Sequence, residues 1–347
     1  MSKSGRYPRL FAAAFACLAL FPVLVRAQTT IDLSGATRTA NGDGTYTYDT
    51  WKPILAPQGW TYSTADGYLY DPNNDQQTGQ SDSDFAGTAQ LPSFFIQTGK
   101  IDGVDVIAFR VIFNAFDSGI ASKKYNGNPV NVRVGVDANF DGKIDLFMGP
   151  DFQNGNRGVS FQLPGTGANI SPSTTTTSSV FYPDDIPGTL GGGTTPAFGP
   201  NNFSYIELNT ANAATYYPGW TTQPENNGTK SEGMMSWAIP IADINKALAE
   251  AAIASASTNP TLAGTTITAE SLLLWVAFTA TQNNSVNQDA YGITKNDPQD
   301  TRWDSFTSYM DAYGRPIPEA SAYGMCLGAG LGVFLLLRRR RRPVLPV

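Results

Sequence analysis

Asp137, Asn139, Asp141 and Asp145 place side-chain oxygens at positions 1, 3, 5 and 9 of one short stretch, with Gly142 at position 6 and Ile144 at position 8. A hard cation such as Ca²⁺ takes six to eight oxygen ligands, and alternate side chains on a tight turn can wrap around one point. Gly142 allows the turn to close. The Lys143 carbonyl stands at position 7, where a backbone oxygen serves as a ligand. The chemistry expected of this run is coordination, and its plain alternative is a solvated Asn/Asp/Gly hairpin. A second run, Asp71, Asn73 and Asp75, repeats the 1-3-5 spacing without the glycine. Taken alone it reads first as a polar turn, and as a second metal loop only if Asp66, Asp82 or Asp84 adds oxygens.

Over its first nine positions the 137–145 stretch resembles the calcium loops of EF-hand and dockerin type. It departs at position 12, where Met148 stands in place of a bidentate glutamate. Its flanks, 130–136 and 144–148, read as strands and not helices. The expectation is a β-hairpin calcium loop, weak at about 10⁻⁴–10⁻³ M unless Asp151 or another segment completes the shell.

The elements around these loops read as mainly β. Runs at 44–48, 104–113, 130–136, 144–148, 159–163, 203–208, 235–239 and 272–280 are rich in Val, Ile, Phe and Tyr and are bounded by turn residues. Ala65-Asp66-Gly67 between two aromatic runs marks a turn. Arg110 and Arg133 interrupt apolar strands and are expected on solvated faces, or second as partners of a ligand carboxylate. One helix is expected over 241–256, with Ile241, Ile244, Leu248 and Ala251 on one stripe and Asp243 in its first turn. Residues 164–202, with a Ser/Thr tract, a triple glycine and six prolines, read as a mobile insertion. No internal repeat is apparent, which argues against a propeller or solenoid.

Both ends carry targeting signals. Residues 1–27 read as a secretory signal peptide: basic Lys3, Arg6 and Arg9, an apolar stretch, and Val25-Arg26-Ala27 before the cut. Ala320 to Leu337 is an uncharged run of 18 residues, expected to span a membrane, and Arg338, Arg339, Arg340, Arg341 and Arg342 follow at once. Before it stand Pro318, Glu319 and Ala320. This order resembles the PEP-CTERM sorting signal, with Ala320 where a proline is usual. The resemblance implies processing by an exosortase in a Gram-negative bacterium. The precursor would then be anchored in the inner membrane, and the product would lie at the cell surface or in the extracellular matrix. The plain alternative is a single-span tail anchor. The exported region, 28–316, holds 14 basic and 28 acidic residues, a net charge of −14. Such a surface repels phosphate backbones, so nucleic acid is not an expected partner. The chain has no histidine, which excludes Ser-His and Cys-His catalysis and His-ligated metals. Its two cysteines, Cys17 and Cys326, lie in the terminal segments, so the exported region must be stable without disulfides.

Segment order adds a second resemblance. The 71–75 loop, Gly-Lys-Ile-Asp before the 104–113 strand, Val134-Gly135-Val136-Asp137, and Ser236-Trp237-Ala238-Ile239-Pro240 leading into a helix look like DOMON-like sandwiches, including family 9 carbohydrate-binding modules. The resemblance implies a β-sandwich, jelly-roll or DOMON-like, with one peripheral helix besides the C-terminal transmembrane helix. Several such modules bind sugars or calcium. Tyr216, Tyr217 and Trp220, beside a Pro-Gly turn, are the candidate sugar-stacking platform. A glycoside-active enzyme would need two facing carboxylates, and no motif surrounds Glu207, Glu225, Glu232, Glu250 or Glu270. The sequence therefore reads as a non-catalytic exported surface or matrix protein stabilised by calcium, with a polysaccharide-binding module as the alternative.

Overall fold

Asp102 and Gly103 both take positive φ, 50° and 82°, which is what a two-residue turn of type I′ requires between right-twisted strands. In the computed structural model that turn joins two long neighbouring strands of the central sheet. The structure describes residues 30–56, 61–75, 83–116, 131–139, 141, 144–151, 158–164, 177–181, 203–221, 231–268, 272–273, 277–280, 289–292 and 310–311. The expected signal peptide, Asp82, Gly142, Lys143 and the whole sorting tail, including the 320–337 run, lie outside the described residues.

In chain order the elements are β1 (Thr39–Ala40), β2 (Tyr46–Thr47), β3 (Lys52–Pro53), β4 (Phe94–Ile101), β5 (Val104–Phe113), β6 (Asn131–Val136), β7 (Leu146–Asp151), β8 (Gly158–Pro164) and β9 (Thr177–Phe181). They continue with β10 (Phe203–Leu208), α1 (Ala213–Tyr216), β11 (Glu232–Pro240), α2 (Ile241–Ala254), β12 (Leu272–Leu273), β13 (Ala277–Ala280), β14 (Asp289–Ala290) and β15 (Met310–Asp311). The chain is mainly β. One sheet runs β10-β11-β5-β4-β3 and a second runs β14-β13-β6-β7-β8-β9, with two-stranded ribbons β1-β2 and β12-β15 beside them. All strand pairings are antiparallel. No helix among the described residues is long and apolar enough to cross a membrane.

The five-stranded sheet is buried on both faces, and strand alternation shows it. Ile107, Phe109, Val111 and Phe113 of β5 join Met235, Trp237 and Ile239 of β11 in one core, which also holds Val132, Val134 and Val136 of β6 and Phe147 and Met148 of β7. One core thus takes side chains from both large sheets. The alternate residues Val106, Ala108, Ile112, Met234 and Ala238 pack into a second core with Ile31, Leu33, Trp51, Tyr217 and Trp220. The N-terminal segment and the residues after β10 therefore cover the outer face. Helix α2 buries Asp243, Ile244, Ala247, Leu248 and Ala251; Ile244, Leu248 and Ala251 belong to the expected stripe, Ile241 is half-buried, and the helix packs on β11 and β5.

Burial corrects the reading of the two arginines. Arg110 lies on the row of Val106 and Ala108 and is 0% exposed; Arg133 is 1% exposed. Arg110 donates from Nε to Ser236 Oγ at 2.8 Å, from Nη1 to Thr37 Oγ1 at 2.8 Å and from Nη2 to the Leu33 carbonyl at 2.8 Å. Its guanidinium stacks 4.2 Å from the Trp51 ring centroid, a cation–π contact strengthened by desolvation. Arg133 donates to Gln162 Oε1 and to the Val132 and Pro150 carbonyls. Both charges are structural: fixed neutral oxygens replace the water that a solvated face would supply. A further difference is β9, an edge strand paired with β8, inside the stretch expected to be a mobile insertion. Apart from Pro164, which ends β8, the rest of that stretch lies outside the described residues.

Candidate cation-binding sites

The 137–145 loop is the connection between β6 and β7, whose register ends at Val136 opposite Leu146. Asp137 and Asp145 are buried where the strands end and Asp141 is exposed. The Asp141 amide donates to both Asp137 Oδ1 at 3.2 Å and Asn139 Oδ1 at 3.1 Å. Two of the expected ligand oxygens therefore converge on one backbone position. Asp145 closes the loop: its Oδ2 accepts from the Ala138 amide at 2.8 Å and its Oδ1 from Asn259 Nδ2 at 2.7 Å. Asn139 Nδ2 donates to Asn259 Oδ1 and Thr261 Oγ1, both at 3.0 Å. The turn after α2 thus caps the loop, a contact more than 100 residues away in sequence that the loop spacing could not reveal. Burial pushes the Asp145 carboxyl up to about 7; the Ala138 amide opposes this, and the Asp137 and Asp141 charges add to it.

The 71–75 run is drawn into a tighter constellation. Asp71, Asp75 and Asp289 bring carboxylate oxygens within 4.8 Å of one another. Among the described residues, the three carboxylates of the β6–β7 loop do not converge to that extent. Asn74 takes φ 69°, a left-handed conformation that Asn adopts more readily than most residues, and so lets this loop turn without a glycine. Its amide donates to Asp84 Oδ2 at 2.9 Å, and Asn114 Nδ2 donates to the same oxygen at 2.8 Å and to Asn74 Oδ1 at 2.9 Å. Asn73 Oδ1 accepts from the Gly87 amide at 3.0 Å. Asp84 was within reach of sequence reasoning; Asp66 is exposed instead. Asp289 was not, because the partner that places it, the Phe85 amide donating to its Oδ2 at 2.7 Å, lies 204 residues away.

The segment carrying Asp289 is pinned by its neighbours. The Tyr291 hydroxyl accepts from the Ser93 and Phe94 amides at 3.0 Å each and donates to the Leu69 carbonyl at 2.9 Å. The Gly292 amide donates to Asp71 Oδ1. Burial, reinforced by the Asp289 and Asp75 charges, pushes the Asp71 carboxyl well above the usual carboxylate range, and the Gly292 amide offsets this only in part.

No family model, curated protein or solved structure matches this chain.

The aromatic platform is corrected. Tyr217 is 0% exposed and Trp220 6%, and both pack in the outer core with Phe95. The Tyr217 hydroxyl donates to the Pro92 carbonyl at 2.7 Å. Tyr216 alone of the three keeps partial exposure, and one ring is not a stacking surface. The Pro-Gly turn does exist, with Gly219 at φ 80°, but it folds the aromatics inward against Arg38 and Tyr46 instead of presenting them to solvent.

Proposed function

We propose that this chain is a non-catalytic, exported cell-surface or extracellular-matrix protein. Its two large sheets form a β-sandwich of jelly-roll or DOMON-like type, stabilised by Ca²⁺ at the β6–β7 loop, and its tail, with Pro318, Glu319, Ala320 and Arg338 to Arg342, directs sorting by an exosortase. The observation that carries the calcium reading is the convergence of Asp137 and Asn139 oxygens on the Asp141 amide. That arrangement leaves the side chains of positions 1, 3 and 5 grouped around one turn, as an oxygen-rich cation shell requires. Asp137 and Asp145 supply charge from the buried end and Asp141 from the open end. The strongly acidic composition of the exported region supports the same assignment, because bound divalent cations offset self-repulsion.

The test is thermal unfolding of the full chain after stripping with a chelator. Added Ca²⁺ should raise Tm, since a ligand that binds only the folded state stabilises it by mass action. Asp141→Ala should remove the part of that rise that comes from the loop. A melting curve indifferent both to Ca²⁺ and to excess chelator would overturn the calcium reading.

A further inference from the structure

We propose that Asp71, Asp75 and Asp289, with Asp84 and Asn114 beside them, form a Ca²⁺ site that rivets the two large sheets together. The site is separate from the β6–β7 loop, and the proposal does not depend on that loop binding metal.

Topology gives the site its purpose. Asp289 opens β14, which pairs with β13 at the edge of the six-stranded sheet through Thr279 opposite Asp289. Asp84 and Asn114 belong to the other sheet: Phe85 bridges Phe113 at the end of β5, and the Asn114 amide donates to the Asp84 carbonyl at 2.9 Å. Asp71 and Asp75 come from the connection between β3 and β4 of that same sheet, held by the bridge between Pro72 and Gly87. Carboxylates from residues 71–84 therefore meet one from the far end of the chain, Asp289, and Asn114 adds its amide. Like charges gathered in this way repel unless a cation or protons lie among them.

An acidic cluster alone would not identify a ligand, but the bonding of its members does. Asp71 is fully buried; its Oδ1 takes the Gly292 amide while its Oδ2 has no hydrogen-bond partner. Asn114 is also fully buried, and its amide nitrogen serves Asp84 and Asn74 while its Oδ1 has no hydrogen-bond partner. Buried oxygens in this state cost free energy unless something coordinates them. The Asn114 oxygen is an acceptor only, and so is Asp71 Oδ2 when the carboxyl is ionised, so the missing partner is a donor or a cation. The carboxylates around Asp71 select the cation, because oxygens of Asp75 and Asp289 lie within 4.8 Å of its own.

The three carboxylates offer oxygens within 4.8 Å of one another, close enough to share one ion. Mg²⁺ dehydrates reluctantly and keeps much of its water, whereas Ca²⁺ takes six to eight oxygens in flexible geometry, so the fully buried Asp71 and Asn114 oxygens suit Ca²⁺. Oxygen-only ligation excludes the thiolate- and imidazole-preferring metals.

Calorimetric titration of Ca²⁺ into the chelator-stripped full chain tests this. The wild type should bind one equivalent more than Asp71→Asn/Asp75→Asn, a nearly isosteric pair of substitutions, and Mg²⁺ at the same concentration should not fill the missing equivalent. Asp141→Ala should leave this equivalent in place. If the double variant does not reach the wild-type circular-dichroism spectrum, Asp75→Asn alone decides: the position is half-buried and lies in a loop, and the variant should bind the same ion at least tenfold more weakly. A double variant, or in its place Asp75→Asn, that binds Ca²⁺ as the wild type does would overturn the proposal. Loss of binding confined to Asp141→Ala would likewise overturn it while leaving the loop reading intact.

Discussion

Asp243 shows how one carboxyl can be favoured by its helix and opposed by its surroundings. It lies in the first turn of α2, where the helix dipole stabilises a negative charge by about 0.3–1 kcal/mol. Yet it is 1% exposed and neither side-chain oxygen has a hydrogen-bond partner. Burial wins: it pushes the carboxyl up to about 6, against a smaller opposing pull from Lys246. An unfolded aspartate titrates near 3.9, so between about pH 4 and 6 the folded state holds the proton more tightly. Stability from this group is present below that window and lost as pH rises through it. Asp243→Asn should therefore stabilise the protein by about 1–3 kcal/mol at pH 7 and by almost nothing at pH 4, measured by urea unfolding at the two pH values. An equal effect at both would show that the charge is not what matters. The same scale explains why Arg110 was misread. An arginine in an apolar run reads as solvent-facing because an unpaired buried charge is so costly. What the local pattern cannot display is that Leu33, Thr37 and Ser236 arrive from elsewhere to satisfy all three of its nitrogens.

Among the elements, the β6–β7 pair is the most constrained. A Cβ built on Gly149 would sit 1.9 Å from the Val132 carbonyl oxygen, so β7 passes too close to its neighbour's backbone to carry a side chain there. Gly149→Ala should cost about 1–3 kcal/mol or more through forced strand displacement. Thermal unfolding checks this, and because the pair frames the loop proposed to bind calcium, Ca²⁺ affinity should fall with it. The periodicity of the chain made most of these elements legible. The bounds of β5 and β10 coincide with the apolar runs, and α2 carries the expected stripe. Most of β4 escaped because Phe94-Phe95-Ile96 follows Pro92 without alternation, the pattern of a strand buried on both faces, which a short apolar run does not distinguish from other buried structure. The 1-3-5-9 spacing exposed the first loop because its oxygens are local. The second constellation was only half visible, since Asp289 and Asn114 join it through contacts that no spacing records. The platform of Tyr216, Tyr217 and Trp220 failed for the converse reason: residue type was right for stacking on sugars, but it is equally right for a core.

At the scale of the whole molecule, the terminal signals and the folded region make separate demands. The tail assignment rests on the joint order of Pro318-Glu319-Ala320, the uncharged run and the five arginines, and replacing Pro318 and Glu319 with alanine should leave the precursor uncleaved in the inner membrane. Fractionation followed by immunoblotting would show this, and unchanged processing would remove the exosortase from the account. Export as proposed would require the folded region to hold together without disulfides. Two cores on either face of the five-stranded sheet, and the contact of Asp71 with Asp289 from the six-stranded sheet, are what it has instead. That contact also fixes an order of events. Asp71, Asp75 and Asp84 are made early, while Asp289 and Tyr291, the residues that dock on Phe85, Ser93 and Phe94, are made some 200 residues later. A polypeptide delivered N-terminus first carries an unfinished half-site through most of its passage. Closure by the late segment is then the closing step of assembly, and a cation captured there would report that the chain had arrived whole.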